Sequence, residues 1–233
     1  MLHRFTLLPI ALTLAAALPA SAAQAQEKAD GPWSIDAAVT VVSDYRFRGL
    51  SLSDKDPAIQ PELTISHDSG LYVGFWGSTI ADNGGDNIET DLSVGFAKSL
   101  GAIDFDVSAQ WYFYPGASGL NYLEITTNLS TAVGPATVGL ALSYAPAQAN
   151  IGDEDNRYIA LNASIPLGKL PLSAIASVGV EDGAFGDSKI DWSIGLAAEV
   201  EGFEFSVSYV DAARHGFDPL AEPGVVLSIK KAF

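Results

Sequence analysis

From Trp33 to the last residue the chain alternates apolar and polar side chains with a period of two, and that pattern leaves few folds open. In 103–113 the apolar positions are Ile103, Phe105, Val107, Ala109, Trp111 and Phe113, separated by Asp104, Asp106, Ser108, Gln110 and Tyr112. The stretch 190–200 repeats the pattern, with Ile190, Trp192, Ile194, Leu196, Ala198 and Val200 on one parity. Each such run reads as a strand with one oily and one wet face. Similar runs fall at about 33–47, 60–67, 71–80, 88–99, 120–130, 136–145, 157–165, 172–181, 203–211 and 224–232, giving twelve strands in all. Tight connections (His67–Gly70, Ser99–Gly101, Val133–Pro135, Leu167–Lys169, Glu201–Gly202) interleave with longer or more acidic ones (Gly49–Asp56, Ala81–Asn87, Pro115–Gly119, Pro146–Asn156, Asp182–Ser188, Ala212–Pro223). Short turns at one end and long loops at the other predict a transmembrane antiparallel up-and-down β-barrel, all-β, with both ends of its wall on the periplasmic side.

A soluble barrel or sandwich is the competing architecture, but it would fill its interior with apolar residues and wet its outside. Here the second face is polar in nearly every strand. Pro57 and Pro61 fit a closed wall poorly, because proline cannot donate to a ladder, so both are expected in the loop or at a bulge near the rim.

Met1, His3 and Arg4, the apolar run Phe5–Pro19 and the Ala23-Gln24-Ala25 site read as a cleaved secretory signal peptide over residues 1–25. Residues 26–32 are then a short periplasmic segment and 33–233 the barrel. No later apolar run approaches the ~18 residues that a spanning helix needs. The chain has no cysteine, three histidines, and 28 acidic against 12 basic residues. Disulfides and thiol chemistry are thereby excluded, and nucleic acid is a poor partner for so acidic a chain. No metal or other cofactor is expected.

The segments Ser43–Ser51, Pro57–Gln60 and Gly70–Ser78, with Ile88–Asp91, Gly95-Phe96 and Asn121–Glu124, resemble the TorF family of porin-like proteins, proteobacterial proteins of unknown function. The likeness covers essentially the whole chain after residue 25, and Pro61 stands where the family has glycine. It implies an outer-membrane barrel that acts as a pore, and it carries no substrate or catalytic residue. The final strand, closing on Phe233, is similar to the signal by which barrel-assembly machinery recognises Gram-negative outer-membrane proteins. Outer-membrane lipid and lipopolysaccharide are the further expected partners.

Strand parity names the expected pore-lining residues. If the first strand runs to Phe47, then Tyr45 and Phe47 face lipid in the outer aromatic girdle, while Asp44, Arg46 and Arg48 face the lumen. Glu62, Glu89, Asp91, Glu124 and Asp191 point inward from the outer halves of their strands. Asp36, Asp104, Asp106, Glu199 and Glu204 form a lower tier. Eleven acids against two arginines predict a passive porin for small solutes that favours cations, since like charges in a narrow low-dielectric tube focus their field. The alternative is a non-conducting structural or surface-interaction barrel, with Arg46 and Arg48 paired to Asp44, Glu62 or Glu89 and the lumen plugged.

An outer-membrane lipid hydrolase fits less well, and the chain reads as a non-enzyme. His67-Asp68-Ser69 holds triad residue types, but neighbours in one tight turn cannot converge as triad members do. His215 lies in an external loop with no G-x-S-x-G elbow beside it. Asp153, Glu154 and Asp155 match no EF-hand spacing and read as a charged rim.

Overall fold

The computed structural model describes residues 31–82, 87–214 and 218–233. The expected signal peptide and His215 lie outside the described residues. Alternation becomes wall as follows: β1 is Trp33–Val42, β2 Arg46–Phe47, β3 Leu50–Ser51, β4 Ala58–His67, β5 Leu71–Thr79, β6 Ile88–Leu100 and β7 Ile103–Phe113. The second half supplies β8 Tyr122–Val133, β9 Ala136–Ala145, β10 Asn156–Pro166, β11 Leu172–Gly183, β12 Gly186–Val200, β13 Phe203–Ala213 and β14 Gly224–Ala232. Twelve of these close into one antiparallel barrel in sequence order, with β14 returning to β1, while β2 and β3 pair only with each other. The twelve-stranded antiparallel barrel read from the alternation is the fold found.

Burial in this barrel is inverted relative to a soluble protein. Ile35, Val41, Leu63, Val73, Leu92, Val94, Ile159, Leu161, Ile194 and Leu227 stand exposed on the outer face. Ser66, Ser108, Thr126, Ser143, Ser164, Ser193 and Ser208 are buried on the inner one. Such an apolar exterior is stable against lipid, where every backbone group must find its partner inside the structure and a closed ladder provides that. Trp111, Tyr144 and Tyr209 project outward toward the long-loop end, and Trp33, Phe203 and Phe205 toward the short-turn end.

Three expectations need correction. The first strand stops at Val42 rather than Phe47, and residues 43–57 leave the wall. Tyr45, expected to face lipid, is therefore buried at 3% exposure inside the barrel, and Phe47 packs on the internal ring of Tyr112 with centroids 6.0 Å apart. The connection expected at Asp182–Ser188 is short: β11 and β12 continue to Gly183 and Gly186.

Pro61 sits within β4, opposite Val39 of β1, and not in a loop or bulge. The wall accommodates it by parting on the other side. Pairing of β4 with β5 begins only at Glu62 opposite Trp76, so the β5 residues from Gly77 to Thr79 have no ladder partner in β4. Side chains bridge the gap instead: the Ile59 amide donates to Thr79 Oγ1 at 3.2 Å, and Gln60 Nε2 donates to Ser78 Oγ at 3.3 Å. A missing N–H thus sits where the ladder has already opened.

Candidate functional site: an inward hairpin across the barrel mouth

The segment 43–57 turns into the barrel at its long-loop end. Its core is the β2–β3 hairpin, with Phe47 opposite Leu50 and Arg48-Gly49 forming the two-residue turn. Both turn residues have positive φ, 49° and 85°, the geometry of a type I′ turn. Glycine is required at the tip. A Cβ on Gly49 would lie 2.8 Å from Ala212 Cβ and 2.9 Å from Asp191 Cβ, so the hairpin spans the interior from β1 and β4 to β12 and β13.

Two arginines fasten it. Arg46 Nε donates to Asp44 Oδ2 at 2.6 Å, and its Nη1 reaches the carbonyls of Gly49, Leu220 and Glu222 at 3.2, 3.2 and 2.8 Å. Asp44 is held in turn by Ser51 Oγ at 2.6 Å. Arg48 bridges two walls: Nη2 donates to both oxygens of Glu124 on β8 at 2.6 and 2.8 Å, and Nη1 to Glu181 Oε1 on β11 at 2.7 Å. The Arg48 guanidinium also lies 4.3 Å from the Tyr158 ring centroid and 4.6 Å from that of Phe47. Burial alone would lower its pKa, but Glu124 and Glu181 more than offset this and hold it above its ordinary value. A non-glycine residue in the left-handed region costs roughly 1–3 kcal/mol, which these contacts offset.

Around the hairpin the mouth is filled. Tyr112 stacks on Tyr122 at 4.3 Å, Tyr122 tilts against Phe185 at 5.1 Å, and Tyr45 against Trp76 at 5.4 Å. Tyr45 donates to Glu89 Oε1 at 3.4 Å, Gln110 to Asp91 Oδ2 at 2.8 Å, and Tyr158 to Asp191 Oδ1 at 3.0 Å. Tyr158 reaches Asp191 by lying over Gly179, where a Cβ would collide with the ring. Beside the hairpin tip, Leu50, Phe185, Lys189, Arg214 and Asp218 line a cavity of about 680 Å³.

The other half of the interior is built differently. Its inner rows are mostly Ser, Thr, Gly and Ala, with Tyr72 and Ile175 among them, and are cross-linked by hydroxyl pairs such as Ser177–Ser193 at 2.8 Å and Ser206–Ser228 at 2.7 Å. Acids stand among them. Asp104 and Glu199 are exposed and Asp36, Asp106 and Glu204 half-buried, all toward the short-turn end. Glu62, midway along the wall, pairs with Lys230 at 2.5 Å, and Asp104 accepts from Ser99 Oγ at 2.5 Å.

The residues named from parity therefore separate into two groups. Asp44, Arg46, Arg48, Glu89, Asp91, Glu124 and Asp191 gather at the mouth, all buried. Glu62, Asp36, Asp104, Asp106, Glu199 and Glu204 lie below. Arg46 and Arg48 come from the hairpin and not from a strand, and Arg48 takes Glu124 and Glu181 as partners instead of Asp44, Glu62 or Glu89. Three interior charges were missed: Glu181, Lys189 (2.5 Å from Glu181) and Lys230. Parity carried the signal for all of them, since Lys189 lies two residues from Asp191 and Lys230 two from Ser228. With these three added, the inward charges number twelve acids against four bases among the described residues, so the excess of acid remains.

His67 and Ser69 do meet, Nδ1 to Oγ at 2.9 Å, but in an exposed turn at the short-turn end, with His67 edge-on to Trp33. Asp155 pairs with Arg157 at 2.7 Å on the surface. Among the described residues no three acidic or histidine side chains converge on a metal-sized site.

Among solved structures the chain is similar to the KdgM porin (TM-score 0.52, 9% identity, covering 85% of this chain and 97% of that one). It is similar also to the NanC porin (TM-score 0.52, 12% identity, 85% and 98%). At these identities the likeness is one of fold. No curated protein matches by sequence. Residues 26–233 match the family described as "Bacterial protein of unknown function (Gcw_chp)", and the chain, barrel, hairpin and all, belongs to that family.

Proposed function

We propose that the chain is an outer-membrane channel through which small solutes diffuse passively. The observation that carries this reading is the inversion of burial: an apolar outer face around a closed interior walled by hydroxyls and acids. Only a barrel set in lipid and wetted within makes both faces favourable. The likeness to two porins supports it, as does the resemblance to the TorF family. In this reading residues 1–25 are an export signal removed after Ala25, the long loops face outward, and Phe233 is read by the barrel-assembly machinery. Lipid and lipopolysaccharide surround the wall, and no chemical step is catalysed.

The acids of the lower tier would favour cations, and the solute path would pass the hairpin as its constriction. A second reading, a non-conducting barrel, is favoured by the Arg48 bridge, which ties the hairpin to both β8 and β11. Planar-bilayer recording under a potassium chloride gradient separates them: the channel gives discrete steps with a reversal potential on the potassium side. Silence from both the wild type and Arg48→Ser would establish the second reading. An epitope inserted at Gly152 should be accessible on intact cells and one at Leu100 should not. Deleting Phe233 should abolish heat-modifiable migration on a gel.

A further inference from the structure

The mouth holds six buried acids and three buried bases among the described residues: Asp44, Glu89, Asp91, Glu124, Glu181 and Asp191 against Arg46, Arg48 and Lys189. Ion pairs account for Asp44, Glu124 and Glu181. Asp191 accepts from Tyr158 and lies near the Lys189 charge, whereas Glu89 and Asp91 have neutral donors only, Tyr45 and Tyr114 on the first and Gln110 on the second. They stand two residues apart on the inner face of β6, so their Cβ atoms are roughly 7 Å apart and their carboxyls share one pocket. Each retains a buried oxygen with no hydrogen-bond partner, Glu89 Oε2 and Asp91 Oδ1, in residues 1% and 5% exposed. Two buried carboxylates without a base are costly unless a proton or a cation joins them.

We propose that Glu89 and Asp91 form a binding site for a hard divalent cation, of which calcium is the probe, at the root of the inward hairpin. The donor set is all oxygen, which suits calcium or magnesium over softer metals. A 2+ charge neutralises the pair, whereas a monovalent ion leaves one charge buried. With only two carboxylates the affinity should fall in the weak range of such sites, about 0.1–1 mM. Tyr45, whose hydroxyl already bonds Glu89, belongs to the hairpin segment, so a bound cation would brace that segment against β6. The site does not depend on conduction.

The test uses the folded full-length barrel in detergent, with terbium(III) as a luminescent stand-in for calcium and Trp76 and Tyr45 as sensitisers. The proposal expects saturable luminescence, displaced by calcium and not by equal potassium, and weakened roughly tenfold or more in E89Q/D91N. The loop variant D153N/E154Q should keep it unchanged. Luminescence that survives E89Q/D91N, or that calcium fails to displace, would overturn the proposal. Should the double variant not fold, the single variants E89Q and D91N decide on the same criterion. A barrel that binds terbium but does not conduct would fail the pore reading alone. One that conducts without binding would fail this inference alone.

Discussion

The two halves of the interior obey different physics. At the mouth, charged side chains are buried and the bases Arg46, Arg48 and Lys189 are each committed to a named carboxylate, so removing one of them leaves a buried charge uncompensated. Near the short turns the charged groups are sparser, and Asp104 and Glu199 are exposed and can exchange one hydrogen bond for another with water. The same wall, with the same strand period, is therefore rigid and electrostatically specified at one end and tolerant at the other. What separates them is whether chain from a loop fills the tube.

Substitutions should grade accordingly. Arg48→Ser strips the counter-charge from Glu124 and Glu181, and loss of one partner of a buried ion pair costs about 3–5 kcal/mol. Equilibrium unfolding in urea should register that loss, and single-channel conductance should rise several-fold as the hairpin detaches. A neutral result in both would mean that the bridge is not what holds the mouth. Gly49→Ala should cost about 2–3 kcal/mol by the same unfolding measurement, through crowding against Ala212 and Asp191 at a positive φ.

At the open end, Ser206→Ala breaks the rung to Ser228 and should cost only about 0.5–1 kcal/mol, a typical net hydrogen bond. Neutralising the exposed Asp104 and Glu199 together should leave unfolding within about 0.5 kcal/mol, as for ordinary surface changes. Its effect should appear in the reversal potential, which should move toward chloride. A large stability loss there would erase the distinction between the halves.

The wall was legible in the residues because a period of two admits one reading for Ile103–Phe113 or Ile190–Val200. The hairpin was not, for an instructive reason. Residues 43–47 continue the alternation of β1, and Tyr45 and Phe47 look like girdle aromatics, yet alternation reports extended backbone without saying which sheet that backbone joins. The Arg48-Gly49 turn is only a weak hairpin signal, since arginine is not a residue that type I′ turns favour. Its conformation is set by partners more than seventy residues away, which local pattern cannot see. Pro61 was misplaced for a related cause: the rule against proline in a ladder holds per hydrogen bond, and the β4–β5 ladder is absent there.

That absence has a mechanical meaning. A closed tube resists being pushed out of round because every hoop around it is continuous, and a tube slit at its rim does not. Above Pro61, among the described residues, the hoop between β4 and β5 is fastened by the Thr79 and Gln60 side chains in place of ladder rungs. The rim can splay at that slit without breaking a rung of the β4–β5 ladder. Val42 and Ala58, where the inward segment departs from the wall and rejoins it, lie opposite each other at the same edge. The inward segment is thus hung from the most compliant arc of an otherwise stiff cylinder.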